Sequence, residues 1–241
     1  MKKLSEQKRF GKSDAIHAGD LLKQQEDDPG YKDRLRRLEQ RRIAASDEFR
    51  EAAGPLLSEL ASSGYGVGSL SDLARPSQSK GAIPILIKWL PRSANSRVKE
   101  SIVRALSVPW AKGRVEAALL AEFRGSSDGE NLKLKWTIAN ALEVLATDRI
   151  YDDIVELLRD KRHGRAREML AMALGKMKAP QAVDVLIGLL NDEKVVGHAI
   201  IALGKLTAVK ARPYLLPFVK HPKVWIRQEA KKALNKIDAL T

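Results

Sequence analysis

The side chains best suited to proton transfer or metal binding are four histidines, His17, His163, His198 and His221, and none has the neighbours that such work requires. His17 lies in a polar stretch near the start. His163 stands among Lys161, Arg162 and Arg165, and His221 between Lys220 and Lys223, where a further positive charge is unfavourable. His198 falls on a helical stretch with no carboxylate one turn away. Asp152 and Asp153 are adjacent, so a helix sends them to different faces, and the first turn of a helix is the better reading. No His-Glu-x-x-His, Gly-x-Ser-x-Gly or P-loop sequence occurs. Gly64-Tyr65-Gly66-Val67-Gly68-Ser69 has the glycines of a phosphate loop but neither its Lys-Ser/Thr ending nor a strand before it, and reads as a turn. The absence of cysteine removes disulfides, thiol nucleophiles and thiolate zinc sites. The expectation is a protein with no catalytic residues, no metal and no cofactor, whose chemistry is that of binding.

What would do the binding depends on the elements. Residues 1–30 are polar and weakly periodic, ending in Asp27-Asp28-Pro29-Gly30, which reads as a helix stop and turn after a loosely held tail. From Tyr31 a narrow apolar stripe (Leu35, Leu38, Ile43, Ala45, Phe49, Ala52) alternates with mixed charges, the pattern of an exposed helix. Gly54-Pro55 is expected to interrupt it, with a second helix from Leu56 to Gly64. Residues 31–81 are thus a helical extension that caps the first repeat, and residues 82–241 are a repeat array. No stretch has the ~18 consecutive apolar residues of a membrane span, and no apolar segment succeeds the basic start, so cytoplasm is the expected location.

Two ladders define the array. Trp89, Phe123, Leu157, Leu189 and Phe218 recur at steps of 34, 34, 32 and 29 residues. Ala-Leu pairs at 105–106, 141–142, 173–174, 202–203 and 233–234 recur at steps of 36, 32, 29 and 31. Two independent ladders near thirty residues mean stacked helical hairpins, each with an apolar face that only a neighbour can cover. The predicted buried set of the second helices is Ile102, Leu106, Ile138, Leu142, Leu145, Leu170, Leu174, Met177, Leu203, Leu206, Leu234 and Ile237. The alanines allow close approach of the helix axes.

The sequences Ala-Arg-x-x-Leu-x-x-Ala-Leu-Gly-x-Met at 166–177 and Val-x-x-x-Ala-x-x-Ala-Leu-Gly-x-Leu at 195–206 resemble HEAT-like repeats. They are closest to the short type associated with phycobilisome lyases, and the chain is similar to bacterial HEAT-repeat proteins with a helical N-terminal extension. The resemblance covers about residues 82–239. It implies an all-α fold, a right-handed α-solenoid of about five hairpins, and a protein partner. Some relatives bind DNA, including an alkyl-base glycosylase family, but no motif of that family and no bilin-attachment site is present.

A basic rung lies six residues before each Ala-Leu pair: Lys99, Lys135, Arg167 and Arg227, with Val196 the exception. In HEAT-type repeats the equivalent Arg bonds the turn of the neighbouring repeat, and Asp160 and Asp192 are acceptors in suitable turns. The rung one residue before each pair, Arg104, Asn140, Met172, Ile201 and Lys232, falls opposite the apolar stripe and is expected to line a concave wall, with Trp136 one turn away on that face. The leading expectation is a non-enzymatic, monomeric adaptor or inhibitor, of the kind an immunity protein represents, holding an acidic protein partner against these six residues. The alternative rests on the net charge of +13, concentrated toward both ends of the array (nine basic against four acidic residues at 54–120, ten against five at 181–241). It makes Arg227, Lys231, Lys232 and Lys236 a nucleic-acid-binding patch.

Overall fold

The computed structural model describes residues 28–74, 76–127 and 132–239, and within them every regular element is helical. The first helix, α1 (Pro29–Ser62), opens with Pro29 as its first residue; the Asp28 carboxylate accepts the Gly30 N–H at 2.9 Å and the Asp28 carbonyl accepts from Tyr31. Asp28-Pro29-Gly30 therefore starts a helix where a turn was expected, because proline at the first position lacks only an N–H that would be unpaired there. The rest of the expected tail lies outside the described residues. Gly54-Pro55 does not interrupt α1 either. The apolar face of its C-terminal part, with Ala53, Leu56 and Leu60 fully buried, holds the segment helical through the proline.

The chain divides into two compact units, at Arg50 and Glu51. In the first, the described residues are the N-terminal part of α1, a polar helix with Arg36–Asp33 and Arg50–Asp47 pairs along its surface. The second unit contains the remainder of α1 and five hairpins. These are α2 (Pro76–Arg92) with α3 (Ser96–Leu106), α4 (Glu116–Gly125) with α5 (Leu132–Leu145), and α6 (Tyr151–Arg159) with α7 (Ala166–Leu174). Then come α8 (Ala182–Gly188) with α9 (Val196–Lys205), and α10 (Arg212–Leu215), continued by a 3-10 segment, with α11 (Val224–Asp238). The second helices α3, α5, α7, α9 and α11 pack in succession on one another. No helix among the described residues is long and apolar enough to cross a membrane.

Local signals explain where the hairpins turn. The Asn95 side chain accepts from the N–H groups of Arg97 and Val98 and so starts α3. Gly164, with φ +52°, reverses the chain before α7, and the Glu116 carboxylate gathers the N–H groups of Gly113 and Val115 before α4. The glutamate of the extension, Glu59, accepts from the Lys88 ammonium (2.7 Å) and the Trp89 indole N–H (2.8 Å), tying α1 to α2.

The predicted core of the second helices is buried with one exception, Leu206, which is half-exposed. Leu206 follows the last residue of α9, Lys205, and the chain turns at the next residue, Thr207, with φ +48°. Two glycines set the closeness of the stack. A Cβ on Gly175 would lie 2.7 Å from the Ala202 Cα, and one on Gly204 would lie 2.8 Å from the Ala233 Cβ. The glycine directly after one Ala-Leu pair thus receives the alanine of the next.

Three members of the basic rung fasten repeat to repeat. Lys99 reaches Glu122 at 2.6 Å. Lys135, only 2% exposed, lies 3.3 Å from His163 Nδ1 and over the Phe123 ring. Arg167, also 2% exposed, donates to the Leu158 carbonyl (2.6 Å) and the Asp192 carboxylate (2.8 Å). The Asp160 carboxylate takes Arg162 of its own turn through several hydrogen bonds. Burial opposes ionisation of Asp192, but the Arg167 guanidinium and the Lys194 N–H outweigh it and hold the carboxyl below the usual range.

Gly175→Val should lower the stability measured by urea unfolding by about 1–3 kcal/mol through overpacking. Gly188→Ala, where a Cβ meets nothing within 4 Å, should leave it unchanged or raise it by up to about 1 kcal/mol. Arg167→Ala should cost about 3–5 kcal/mol by stranding Asp192 and a buried carbonyl. The Asp192 contribution is complete above the unfolded value of ~3.9 and is lost as pH falls through the lower folded value. The acid-side decline of stability should therefore flatten in Arg167→Met.

Candidate functional site

The exposed surface of the second-helix stack is built from four positions of each helix. One residue before the Ala-Leu pairs, Arg104 and Lys232 are exposed and Asn140, Met172 and Ile201 are half-buried. The two outer members are engaged in ion pairs, Arg104 with Glu100 at 3.0 Å and Lys232 with Glu229 at 2.7 Å. Trp136 is half-buried, and with Leu132, Lys133 and Arg165 it lines a cavity of about 400 Å³ between the starts of α5 and α7. Leu132 is 44% exposed and adds its side chain to the apolar rim of this recess.

Charge frames this apolar strip on both sides. On one side the Glu143 carboxylate pairs with Lys176 (2.9 Å) and lies 3.6 Å from Lys205, so one glutamate serves three successive repeats. On the other side the buried Glu100 carboxylate takes both Arg104 and Lys133, and Glu168 takes Arg165 at 3.3 Å. Eight residues before each Ala-Leu pair stand Arg97, Lys133, Arg165 and Lys194, all exposed, with Trp225 in the same place in the last repeat. This rung was legible in the same register that gave the others, yet sequence reading passed over it because it lies at the helix starts, outside the span where the repeat motif is recognisable.

The residues predicted to bind nucleic acid are not equivalent. Arg227 is half-buried and donates to the carbonyls of His221 and Pro222 in its own turn, 2.8 and 2.9 Å away, so its charge is committed to shaping the hairpin. Lys232 is paired with Glu229; Lys231 and Lys236 are exposed. Arg167, which the sequence places in a basic cluster with Lys161, Arg162 and Arg165, is withdrawn into the repeat interface.

His198 also differs from its sequence reading. The sequence gives it no acidic neighbour, but the adjoining helix brings Glu168 Oε2 to 4.0 Å from its Nε2. The ring is half-buried, its edge meets Trp225 at a centroid distance of 5.9 Å, and its Nδ1 is shielded from solvent without a hydrogen-bond partner. Such a group costs about 1–3 kcal/mol unless a ligand or water reaches it. Burial lowers the His198 pKa, with Arg165 adding to the effect and Glu168 opposing it. Among the described residues no three His, Asp or Glu side chains are grouped to hold a metal ion.

Residues 116–196, from α4 into the start of α9, match the family of HEAT repeats. The described residues thus form an all-α stack of helical hairpins, of which residues 116–196 match HEAT repeats. Such repeats commonly mediate protein–protein interaction, and proteins made of them are typically non-enzymatic. No curated protein matches the chain.

His198 yields a measurable pH effect. Its folded pKa lies below the unfolded ~6.5, so the stability it supports is complete above that value and is lost as pH falls through the lower folded one. The urea midpoint of the wild type should drop between pH 7 and pH 5 by more than that of His198→Gln; equal slopes would show that the ring titrates as it does in the unfolded chain.

Proposed function

We propose that the protein is a non-enzymatic scaffold that holds an acidic segment of another protein against its second-helix wall. The observation that carries the reading is the cavity at Trp136, an apolar recess with an exposed Leu132 at its mouth and Lys133 and Arg165 beside it. Half-exposed aromatic rings in recesses are where binding energy concentrates, and flanking cations steer and orient an anionic partner. Asn140, Met172 and Ile201 extend the floor toward the later repeats, with Lys176 and Lys205 along its edge. Arg104 and Lys232 mark the ends of the strip and contribute to the encounter more than to the anchored state, because each already has a carboxylate partner.

Nucleic acid is the weaker reading. Of the four cations expected to serve it, one is fixed in its own turn and one is paired.

Photo-crosslinking separates the readings. A photoreactive residue placed at Leu132 or Met172 should give a discrete protein adduct in extract of the source cells, insensitive to nuclease and lost in Trp136→Ala. The same probe at Tyr214, exposed on a first helix, should give none. Adducts that disappear with nuclease, or that form equally at Tyr214, would overturn the assignment.

A further inference from the structure

A second cavity, of about 440 Å³, opens between the starts of α7, α9 and α11, and its composition differs from the first. One wall is the Trp225 indole, 44% exposed, seated on Gly197 so closely that any Cβ there would collide with the ring. His198 meets that indole at an interplanar angle of 61°. Arg165, Lys194 and Lys223 stand at the rim, one from each of three successive repeats. Arg165 is answered by Glu168, but among the described residues no carboxylate lies within 4.0 Å of the ammonium group of Lys194 or of Lys223. The cavity therefore combines an aromatic wall, an imidazole ring against that wall and two ammonium groups with no carboxylate within 4.0 Å among the described residues.

Each feature asks something different of a ligand. A flat ring beside Trp225 gains stacking or edge contact with the indole and with the imidazole. An oxyanion gains two ammonium partners at the rim. Glu168 and Glu193, also at the rim, repel a free inorganic anion that brings no ring to compensate.

We propose that this cavity receives an oxyanion carried on a small aromatic ring, the chemistry shared by a phosphorylated tyrosine and by a carboxylate adjoining a phenyl side chain. Trp225 holds the ring, Lys194 and Lys223 take the charge, and His198 takes up a proton as the anion arrives. The inference deepens the scaffold reading, on which it rests for the bearer of the group, but the binding itself is a property of this chain alone.

The groups that face His198 are Glu168 and Arg165 from α7 and its start, Glu193 and Lys194 from the turn before α9, and Lys223 from the turn before α11. Burial keeps the ring neutral near pH 7, and an anion brought beside it favours the imidazolium. Affinity for a ligand of constant charge therefore rises as pH falls toward 6.

The test is a titration of the full chain, monitored through the ring signals of His198 and Trp225, assigned with His198→Gln and Trp225→Phe. The probes are phenyl phosphate, phenylacetate, inorganic phosphate and benzyl alcohol. Both ring-bearing anions should move both signals, and whichever binds more tightly identifies the oxyanion as phosphate monoester or carboxylate. Inorganic phosphate and benzyl alcohol should bind at least tenfold more weakly. Lys194→Ala combined with Lys223→Ala should weaken both anions at least tenfold, and Gly197→Ala, which displaces the indole, should weaken the ring-bearing probes to the level of inorganic phosphate. Phenylacetate should bind more tightly at pH 6 than at pH 8 in the wild type and equally at both in His198→Gln. No movement of either signal, or equal binding of benzyl alcohol and phenylacetate, would overturn the site. A flat pH profile in the wild type would overturn the part given to His198. These outcomes are independent of crosslinking at Leu132, so failure of either reading is recognisable by itself.

Discussion

Two helix backbones pass one another only as closely as the atoms between them allow, and here that limit is set by glycine against alanine. Gly175 receives Ala202 and Gly204 receives Ala233, so α7, α9 and α11 touch nearly backbone to backbone. The consequence runs outward. Helices this close leave no room for large side chains between them at that level, so the large side chains go to the hairpin interior, where Leu170, Leu174, Ile200 and Leu203 are sealed. They also go to the exposed wall, where Trp136, Met172 and Ile201 remain partly open to solvent. The binding surface is in this sense a by-product of a packing solution: what cannot fit between the helices is presented by them.

Polar side chains do the complementary work of fixing register. Apolar faces alone would tolerate a slide of one hairpin on the next, whereas Arg167 must reach both Leu158 and Asp192 and can do so in one arrangement only. Glu143, shared by Lys176 and Lys205, and Glu100, shared by Arg104 and Lys133, repeat the device at the surface. These carboxylates also partition the surface charge. Several cations near the wall are answered locally, and two exposed ones, Lys194 and Lys223, stand beside a cavity whose wall is the Trp225 indole.

The fold was legible because hairpin repeats write themselves into the sequence twice, once in each helix. The interior came from the Ala-Leu register, down to the rung on which Arg167 finds Asp192. Where reading from sequence failed, the cause was tertiary. Gly54-Pro55 breaks a helix by local preference, but Leu56 and Leu60 bury the face that carries it. His198 lacks a carboxylate on its own helix and acquires Glu168 from the next. Trp225 is an ordinary residue at a helix start until Gly197, on another repeat, proves to be the floor beneath it. Contacts made across the stack have no fixed spacing in the chain, and the candidate site is made almost entirely of such contacts.

The fourth hairpin departs from the others at Val196, which stands where its neighbours carry a cation. The joints at Lys99, Lys135 and Arg167 place a cation with hydrogen-bonding partners between the repeats, whereas the joint between the fourth and fifth hairpins has an indole lying on a glycine and the exposed Lys210–Asp184 ion pair. Apolar association weakens on cooling and strengthens in the presence of excluded solutes, while an exposed ion pair such as Lys210–Asp184 answers to ionic strength. The joints of the array are therefore unlike, and the last one, which carries Trp225, answers to temperature through its indole and to salt through its surface ion pair.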